Sequence, residues 1–580
     1  MIDNGNFISR FIKNAENTPN KIALQLPQME GQQCTAEDII SYGDLSSLIS
    51  AYKILWQKKG WQAGDRVVVI LKPSKELYAI AMSLFSLGIV AVFIDTGMGR
   101  KKIQMAVRDS NAKAIISMQA LVKLFWLVPA LWPLQRFAID GSGLGYSNIL
   151  DQVGKIILDG GDQLPALTAV QRSNNDHGLI SFTSGSTGRP KGADRTHFSL
   201  IQQHLAIRDH WPDEPSDIDC PCFPVMVLHN LSCGMTTIMP KVDLAQPSEV
   251  NAAIVIGQIR QHKISRLSGA PAYISKLVDY LSEQETSLQT VSEVKSIVVG
   301  GATVSKSLAL KIRSAFPDAD ARIVYGSTEA EPISDIKIDE YLEEFNNTES
   351  DNKQAGYLVG RVALQVDLLI SNFSQIEDRY QKMNKRITEQ DLLNQACKVG
   401  EIGEILVSGN HVLKQYIDNP LANKENKIPR ENVAETKAVW HRTGDSGYLD
   451  EKGRLWLSGR IKDVIQIKDK ALQPYPIEQS LDQDEDITRA AVLSHSDQVC
   501  IFVQVNDQSS CSSTEIQQRI LSTVVDVLKS LEIYSIQYIE IDQMPVDGRH
   551  NSKIDRPLLR DGLKDNSYKN CQLLSLSSRG

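Results

Sequence analysis

The chain has 580 residues, 42% of them hydrophobic and 23% charged, with a net charge of −8. That length exceeds one ordinary core and implies two or more domains, while the composition excludes disorder along the whole length. The acidic balance gives no electrostatic reason to expect nucleic acid as the main partner.

Met1 to Asn20 lacks the basic and apolar regions of a secretory signal. The first third then alternates between two apolar periods. Tyr42 to Lys58 and Ser74 to Leu87 have helical spacing, whereas Arg66 to Leu71 and Val90 to Ile94 read as short buried strands, the second ending at the turn Thr96–Gly97. Further short β-like runs occur at Ala114–Ile116, Gly178–Phe182 and Lys295–Val299. This alternation predicts an α/β architecture with parallel-rich, buried sheets. The most apolar run, Leu124 to Leu134, is broken by Pro129 and Pro133. It falls short of the roughly 20 residues of a bilayer span. It is read as a buried segment, with a patch facing a membrane or an acyl chain as the other reading.

Asn346 to Lys398 is polar and weakly periodic and is read in part as a surface insertion, although Gly356 to Leu369 has the pattern to supply strands. Regular structure resumes at Gly400–Ser408. After about Lys462 short strands and helices mix again, with an apolar strand at Val499–Val505, as a small C-terminal domain would. The Ser-rich final dozen residues read as frayed. Eight cysteines are scattered along the chain, and Cys220–Cys222 has no second pair at metal-ligand spacing. Thiols in a reducing cytoplasm are expected ahead of a zinc site.

The most informative stretch is Ser181-Phe-Thr-Ser-Gly-Ser-Thr-Gly-Arg-Pro-Lys-Gly192. An apolar run feeds a loop of glycines and hydroxyl residues that closes on a lysine. Glycines let backbone N–H groups converge, hydroxyls add short donors, and lysine adds a mobile positive charge, which are the parts that hold polyphosphate oxygens. Thr183, Ser184, Gly185, Ser186, Thr187, Gly188 and Lys191 are therefore candidate polyphosphate-binding residues. The spacing is not that of a Walker A loop, and Gly141-Ser-Gly-Leu-Gly145 lacks the third glycine of a dinucleotide fingerprint.

At this loop the sequence resembles the adenylate-forming superfamily of acyl-CoA synthetases, peptide-synthetase adenylation domains and luciferases, and the resemblance continues in order along nearly the whole chain. Gly300–Gly301–Ala302 looks like the family's strand-end turn beside the adenine and the acyl carbonyl. Tyr325-Gly-Ser-Thr-Glu329 looks like its adenine-stacking tyrosine (followed by Gly326 and Ser327), phosphate-contacting Thr328 and magnesium-holding Glu329. Trp440-His-Arg-Thr-Gly-Asp445 matches the segment whose aspartate grips the ribose hydroxyls. Gly459-Arg-Ile-Lys-Asp463 matches a ribose-contacting arginine, Arg460, and the interdomain hinge, Lys462. Asn551-Ser-Lys553 looks like the mobile catalytic lysine.

The resemblance implies a large N-terminal adenylation domain, residues 1–461 with the polar insertion at about 346–398, and a small mobile α+β lid, residues 462–580. It also implies ATP- and magnesium-dependent activation of a carboxylic acid as an acyl-adenylate. The acyl group would then pass to a thiol of CoA or of the phosphopantetheine on an acyl carrier protein. Ile94-Asp-Thr-Gly-Met-Gly99, Phe223–Pro224 with Gly234-Met-Thr-Thr237, Ser268-Gly-Ala-Pro271 and Pro545-Val-Asp-Gly-Arg-His-Asn551 look closer to the olefin β-lactone synthetase branch and its fatty-acyl ligase relatives. That branch closes a 3-hydroxyacyl-adenylate on itself. An inactive nucleotide-binding scaffold is the non-enzymatic alternative.

Two departures bear on the second step. The paired-glycine loop that helps admit a pantetheine thiol is replaced by Lys468–Asp469–Lys470. The histidine that many members place three residues after Pro224 is Val227 here, and His229 follows two residues later. His229 is read as an acyl-pocket residue or a buried structural histidine.

Overall fold

The computed structural model describes the chain except residues 1–4, 32, 161–163, 184–188, 245–248, 347–355, 373–376, 378–384, 432, 434–437, 468–469, 497, 507–508, 547–552, 569 and 577–580. The alternating first third folds as its periodicity predicts. Helix Tyr42–Lys58 starts at Ser41, whose side chain accepts from the Asp44 amide. Helix Lys75–Leu87 starts at Ser74 in the same way and stops at Gly88, whose left-handed φ of 69° closes the last turn. The second helix packs against the first and on a seven-stranded sheet of order 147–148, 135–138, 114–117, 66–70, 90–94, 177–183, 191–196. Every neighbouring pair is parallel except the last, His177–Thr183 with Lys191–Thr196.

A second, fourteen-stranded sheet carries the rest of the large domain. From Ile22–Glu30 through Thr236–Ile238, Ile218–Pro221, Arg266–Gly269 and Ser296–Gly300 to Asp320–Ser327 the strands run parallel. Beyond Asp320–Ser327 the sheet turns antiparallel, through Ala330–Lys337, Tyr357–Val362, Arg454–Arg460, Val439–Leu449, Gly403–Gly409 and Val366–Ser371. The parallel character expected from the sequence thus holds for one half of this sheet. Tight turns join strands in the other half, as at Thr328–Glu329 and Asp450–Gly453, and a tight turn permits only antiparallel pairing. Strands within Gly356–Leu369 belong to this half. Much of the expected insertion lies outside the described residues.

After Ile465 a four-stranded sheet, Ile487–His495, Gln498–Val505, Ser535–Glu540 and Cys571–Ser575, packs helices Pro474–Leu481, Ser513–Ser530 and Arg556–Lys564 around apolar clusters of its own. For residues 570–576 the sequence reading of the tail as frayed is corrected here, while 569 and 577–580 lie outside the described residues. Cys571–Ser575 pairs along Ser535–Glu540, and Leu576 is buried at its end. A sheet edge supplies the backbone partners that the local pattern does not advertise.

The run Leu124 to Leu134 also departs from the buried reading. It forms two short 3₁₀ turns, Phe125–Leu127 and Pro129–Leu131, because its prolines prevent a helix. Leu131 and Leu134 reach the core, whereas Leu124, Trp126, Leu127 and Trp132 stay exposed. Among the described residues no helix is long and apolar enough to cross a membrane.

Candidate active site

A cleft of about 1570 Å³ gathers residues from distant parts of the chain. Thr183, Lys191, Gly301, Ala302, Tyr325, Gly326, Ser327, Thr328, Glu329, Asp445, Arg460, Lys462 and Lys553 all line it. Ser184, Gly185, Ser186, Thr187 and Gly188 lie outside the described residues. Their two flanks are nevertheless fixed, because Thr183 and Lys191 face each other in the antiparallel pair. Lys191 therefore stands beside Thr183, the first hydroxyl residue of the motif. Gly192 follows in a space too small for any side chain. A Cβ there would stand 2.7 Å from Ile417 Cγ2 and 2.9 Å from Phe182 Cζ.

Asp445 and Arg460 sit opposite each other on neighbouring strands. Arg460 Nε donates to Asp445 Oδ1 at 2.8 Å, and the Tyr325 hydroxyl donates to Oδ2 at 2.6 Å. Each carboxylate oxygen has a second lone pair, so the group can still accept from a ligand's hydroxyls. The negative charge of Asp445 holds Arg460 well above the ordinary arginine range. On the floor of the same region Gly301 adopts φ +90°, and an added Cβ would meet only Phe223 Cζ at 3.9 Å, so the backbone lies open there.

Glu329 is the most constrained group. Burial pushes its carboxyl upward, but His441, Lys427 and the Tyr416 hydroxyl, which donates to Oε1 at 2.8 Å, outweigh burial and hold it below the ordinary glutamate value. Its backbone is tied down too. Leu413 N donates to the Glu329 carbonyl at 2.7 Å. Arg195 links the neighbouring Thr328 carbonyl (2.6 Å) to the Ser181 hydroxyl (2.8 Å), joining the Tyr325–Glu329 turn to the strand that enters the phosphate loop.

Tyr416 and Lys427 were not singled out by the sequence. The ring of Tyr416 has Lys191 Nζ 5.2 Å and Lys427 Nζ 5.3 Å from its centroid. Lys427 is buried and donates to the Leu413 carbonyl. Burial pushes it down to about 7, against the pull of Glu329 and with the push of Lys191. Arg442 also lies on the wall, clamped between Glu377 (2.8 Å) and Glu404 (2.9 Å).

The C-terminal side contributes Lys462 in the turn Ile461–Asp463, whose Asp463 is buried and held by Arg560 at 2.6 Å. Lys553 stands on the same wall, just before helix Arg556–Lys564. Two expected residues do not reach the cleft surface. Gly300 ends its strand beneath Gly301, with Val324 O 2.9 Å from where its Cβ would be. His229 is buried on helix Met226–Cys233, its Nδ1 3.1 Å from His204 Nδ1 and its Nε2 3.4 Å from Cys233 Sγ.

The AMP-binding enzyme family model matches residues 11–417, well over half of the chain. An olefin β-lactone synthetase of Stenotrophomonas maltophilia is 27% identical over 569 residues, covering 96% of this chain and 97% of that protein. 4-Coumarate–CoA ligase 3 of Arabidopsis thaliana is 23% identical over 488 residues, covering 81% of this chain and 78% of that protein. Among solved structures, ATP-bound MatB of Rhodopseudomonas palustris superimposes with a TM-score of 0.75 at 19% identity, covering 97% of this chain and 99% of that one.

The packing around Gly192 makes Gly192→Ala a test of how Lys191 is held. The added methyl forces Phe182 and Ile417 apart, costing about 1–3 kcal/mol of stability in a packed interior. In steady-state assays the KM for ATP is expected to rise by about tenfold or more, while Ala193→Gly two positions from the loop leaves it near the wild-type value.

Proposed function

The chain belongs to the AMP-binding enzyme family, and on that premise we propose how its cleft holds the nucleotide and where the acyl group goes. Its reaction is the activation of a carboxylic acid as an acyl-adenylate with release of pyrophosphate. The observation that carries the detailed reading is the convergence of Lys191, Glu329, Asp445, Arg460 and Lys553 on one cleft. Both reactants are anions, so the site must neutralise and align them more than react with them.

In this reading Asp445 and Arg460 hold the ribose, Tyr325 and the open backbone at Gly301–Ala302 face the adenine, and the Thr183–Lys191 hairpin end wraps the phosphates. Lys553 places its ammonium between the acid's carboxylate and the α-phosphate. Lys462 is the pivot between residues 1–461 and 462–580. Glu329, ionised and built of hard oxygen donors, fits magnesium with Thr328 beside it, and the ion would neutralise the departing pyrophosphate. The eight cysteines, none in a disulfide, support a cytoplasmic setting.

For the acyl group we favour a hydrophobic 3-hydroxy acid whose adenylate closes to a β-lactone. The near full-length likeness to an olefin β-lactone synthetase supports this. So does the sequence Lys468–Asp469–Lys470 in place of the thiol-admitting glycines, although its first two residues lie outside the described ones. Transfer to the thiol of CoA or of a carrier protein is the second reading, supported by the likeness to a CoA ligase.

Product mass spectrometry with ATP, magnesium and a panel of fatty and 3-hydroxy fatty acids separates the two. A lactone from 3-hydroxy acids without CoA is expected. A thioester formed only with CoA sinks the lactone reading, and absence of pyrophosphate with every acid sinks adenylation by this cleft. Lys553→Ala is expected to slow adenylate formation by about 10²–10³-fold.

Magnesium dependence should also carry the signature of Lys427. As pH rises through about 7 this lysine loses its charge, repulsion of a dication near Glu329 falls, and less metal is needed. The half-saturating magnesium concentration is expected to drop by up to about tenfold between pH 6 and 8.5. Lys427→Met should abolish that step, and an unchanged pH dependence in the variant would remove Lys427 from the account.

A further inference from the structure

The run of exposed apolar residues on the seven-stranded-sheet side of the large domain takes no part in the cleft. Trp126 is 62% and Trp132 60% exposed, with Leu124 and Leu127 exposed beside them. A fifth residue, Leu144, is 93% exposed, and the fold brings it to the same place. Arg136 Nε donates to the Gly145 carbonyl at 2.8 Å while its guanidinium stacks 4.3 Å from the Phe125 ring. Scattered exposed leucines need no explanation, but two tryptophans and three leucines held in one small knob do.

The knob is braced for its exposure. Phe125, Val128, Ala130, Leu131 and Leu134 pack into the core that Ile103 of helix Arg100–Asp109 also enters. Arg136 Nη1 donates to the Leu131 carbonyl at 2.8 Å, and the Trp132 indole N–H donates to the Phe125 carbonyl at 3.0 Å. The Trp132 ring can therefore enter an apolar medium without stranding its donor.

The charge around the knob identifies what it meets. From Met118 to Ala138 the sequence carries Lys123 and Arg136 and no aspartate or glutamate, in a chain whose net charge is −8. Exposed Arg100 and Lys101 stand on the helix that packs beside it. Asp140, which follows, accepts from the Gln119 amide. Exposed tryptophan and leucine ringed by lysine and arginine are the combination that seats a protein at the boundary of lipid headgroups and acyl chains. Basic residues near an anionic leaflet add about 1 kcal/mol each. A protruding knob suits insertion into a bilayer surface better than it suits a globular partner, which would need a complementary groove.

We propose that the knob formed by Leu124, Trp126, Leu127, Trp132 and Leu144 docks this enzyme on the surface of an anionic lipid bilayer. The attachment is peripheral and leaves the cleft chemistry to the residues already described. It does not depend on which acid is activated.

The test is co-sedimentation of the full-length protein with vesicles of phosphatidylcholine alone and of phosphatidylcholine mixed with phosphatidylglycerol, followed by tryptophan fluorescence. Binding to the anionic vesicles, weakened by salt, with a blue shift of the emission, is expected. The double variant W126S/W132S should bind at least about fivefold less while forming acyl-adenylate in detergent-free solution at the wild-type rate, which also shows that it is folded. Failure of the wild type to bind, or equal binding by the variant, overturns the proposal. So does light scattering that finds a dimer for the wild type and a monomer for the variant without vesicle binding, since the face would then belong to a second copy of the chain.

Discussion

A carboxylate that stays ionised while half-buried in the cleft wall sets the terms for the centre of this molecule. Glu329 is surrounded by groups that favour its charge, and they come from separate strands and loops: Tyr416 by hydrogen bond, Lys427 by its field, Leu413 by fixing the backbone. Desolvating a charge is tolerated only when such partners are placed in advance. Lys427 pairs into the antiparallel half of the large sheet, while Tyr416 lies on the loop after Gly403–Gly409 and bridges Ala193 of the seven-stranded sheet. Asp445 and Arg460 come from that antiparallel half, so it carries both an ion pair of the cleft and one of the groups that balance Glu329.

The positive side of that balance is distributed unequally. Lys191 lines the cleft, whereas Lys427 is sealed behind Tyr416 and Arg442 is saturated by Glu377 and Glu404. Lys462 and Lys553 join Lys191 on the cleft surface, while Lys427, pushed down to about 7 by burial, and the doubly paired Arg442 carry positive charge that the protein itself already engages.

What was legible in the sequence follows from the range over which each interaction acts. Helix and strand periods in the first third, the hydroxyl-glycine loop and the short motifs around Tyr325, Asp445 and Arg460 are local patterns, and Thr183, Lys191, Tyr325, Asp445 and Arg460 meet in the cleft. Tyr416, Lys427 and Arg195 carry no local signal. Their roles come from strand register and from turns that bring residues together across 87 positions for Tyr416 and Glu329 and 133 for Arg195 and Thr328. The tail strand Cys571–Ser575 was hidden for the same reason, since an edge strand borrows its partners from elsewhere. Leu124–Leu134 failed in the opposite sense. Apolarity was read as burial, but the prolines keep the segment from turning one face inward. His229 was left open as a pocket residue or a structural one, and its contacts lie with His204 and Cys233.

Gly192 has a meaning beyond space. Its neighbours in sequence are Lys191 and Ala193, and in the paired strands it alone fits between Phe182 and Ile417. If the two strands slid by one residue, a side chain would be driven into that gap whichever way they moved. The glycine therefore works as an index mark on the ladder. It fixes which residues of the two strands face each other, and so holds Lys191 opposite Thr183.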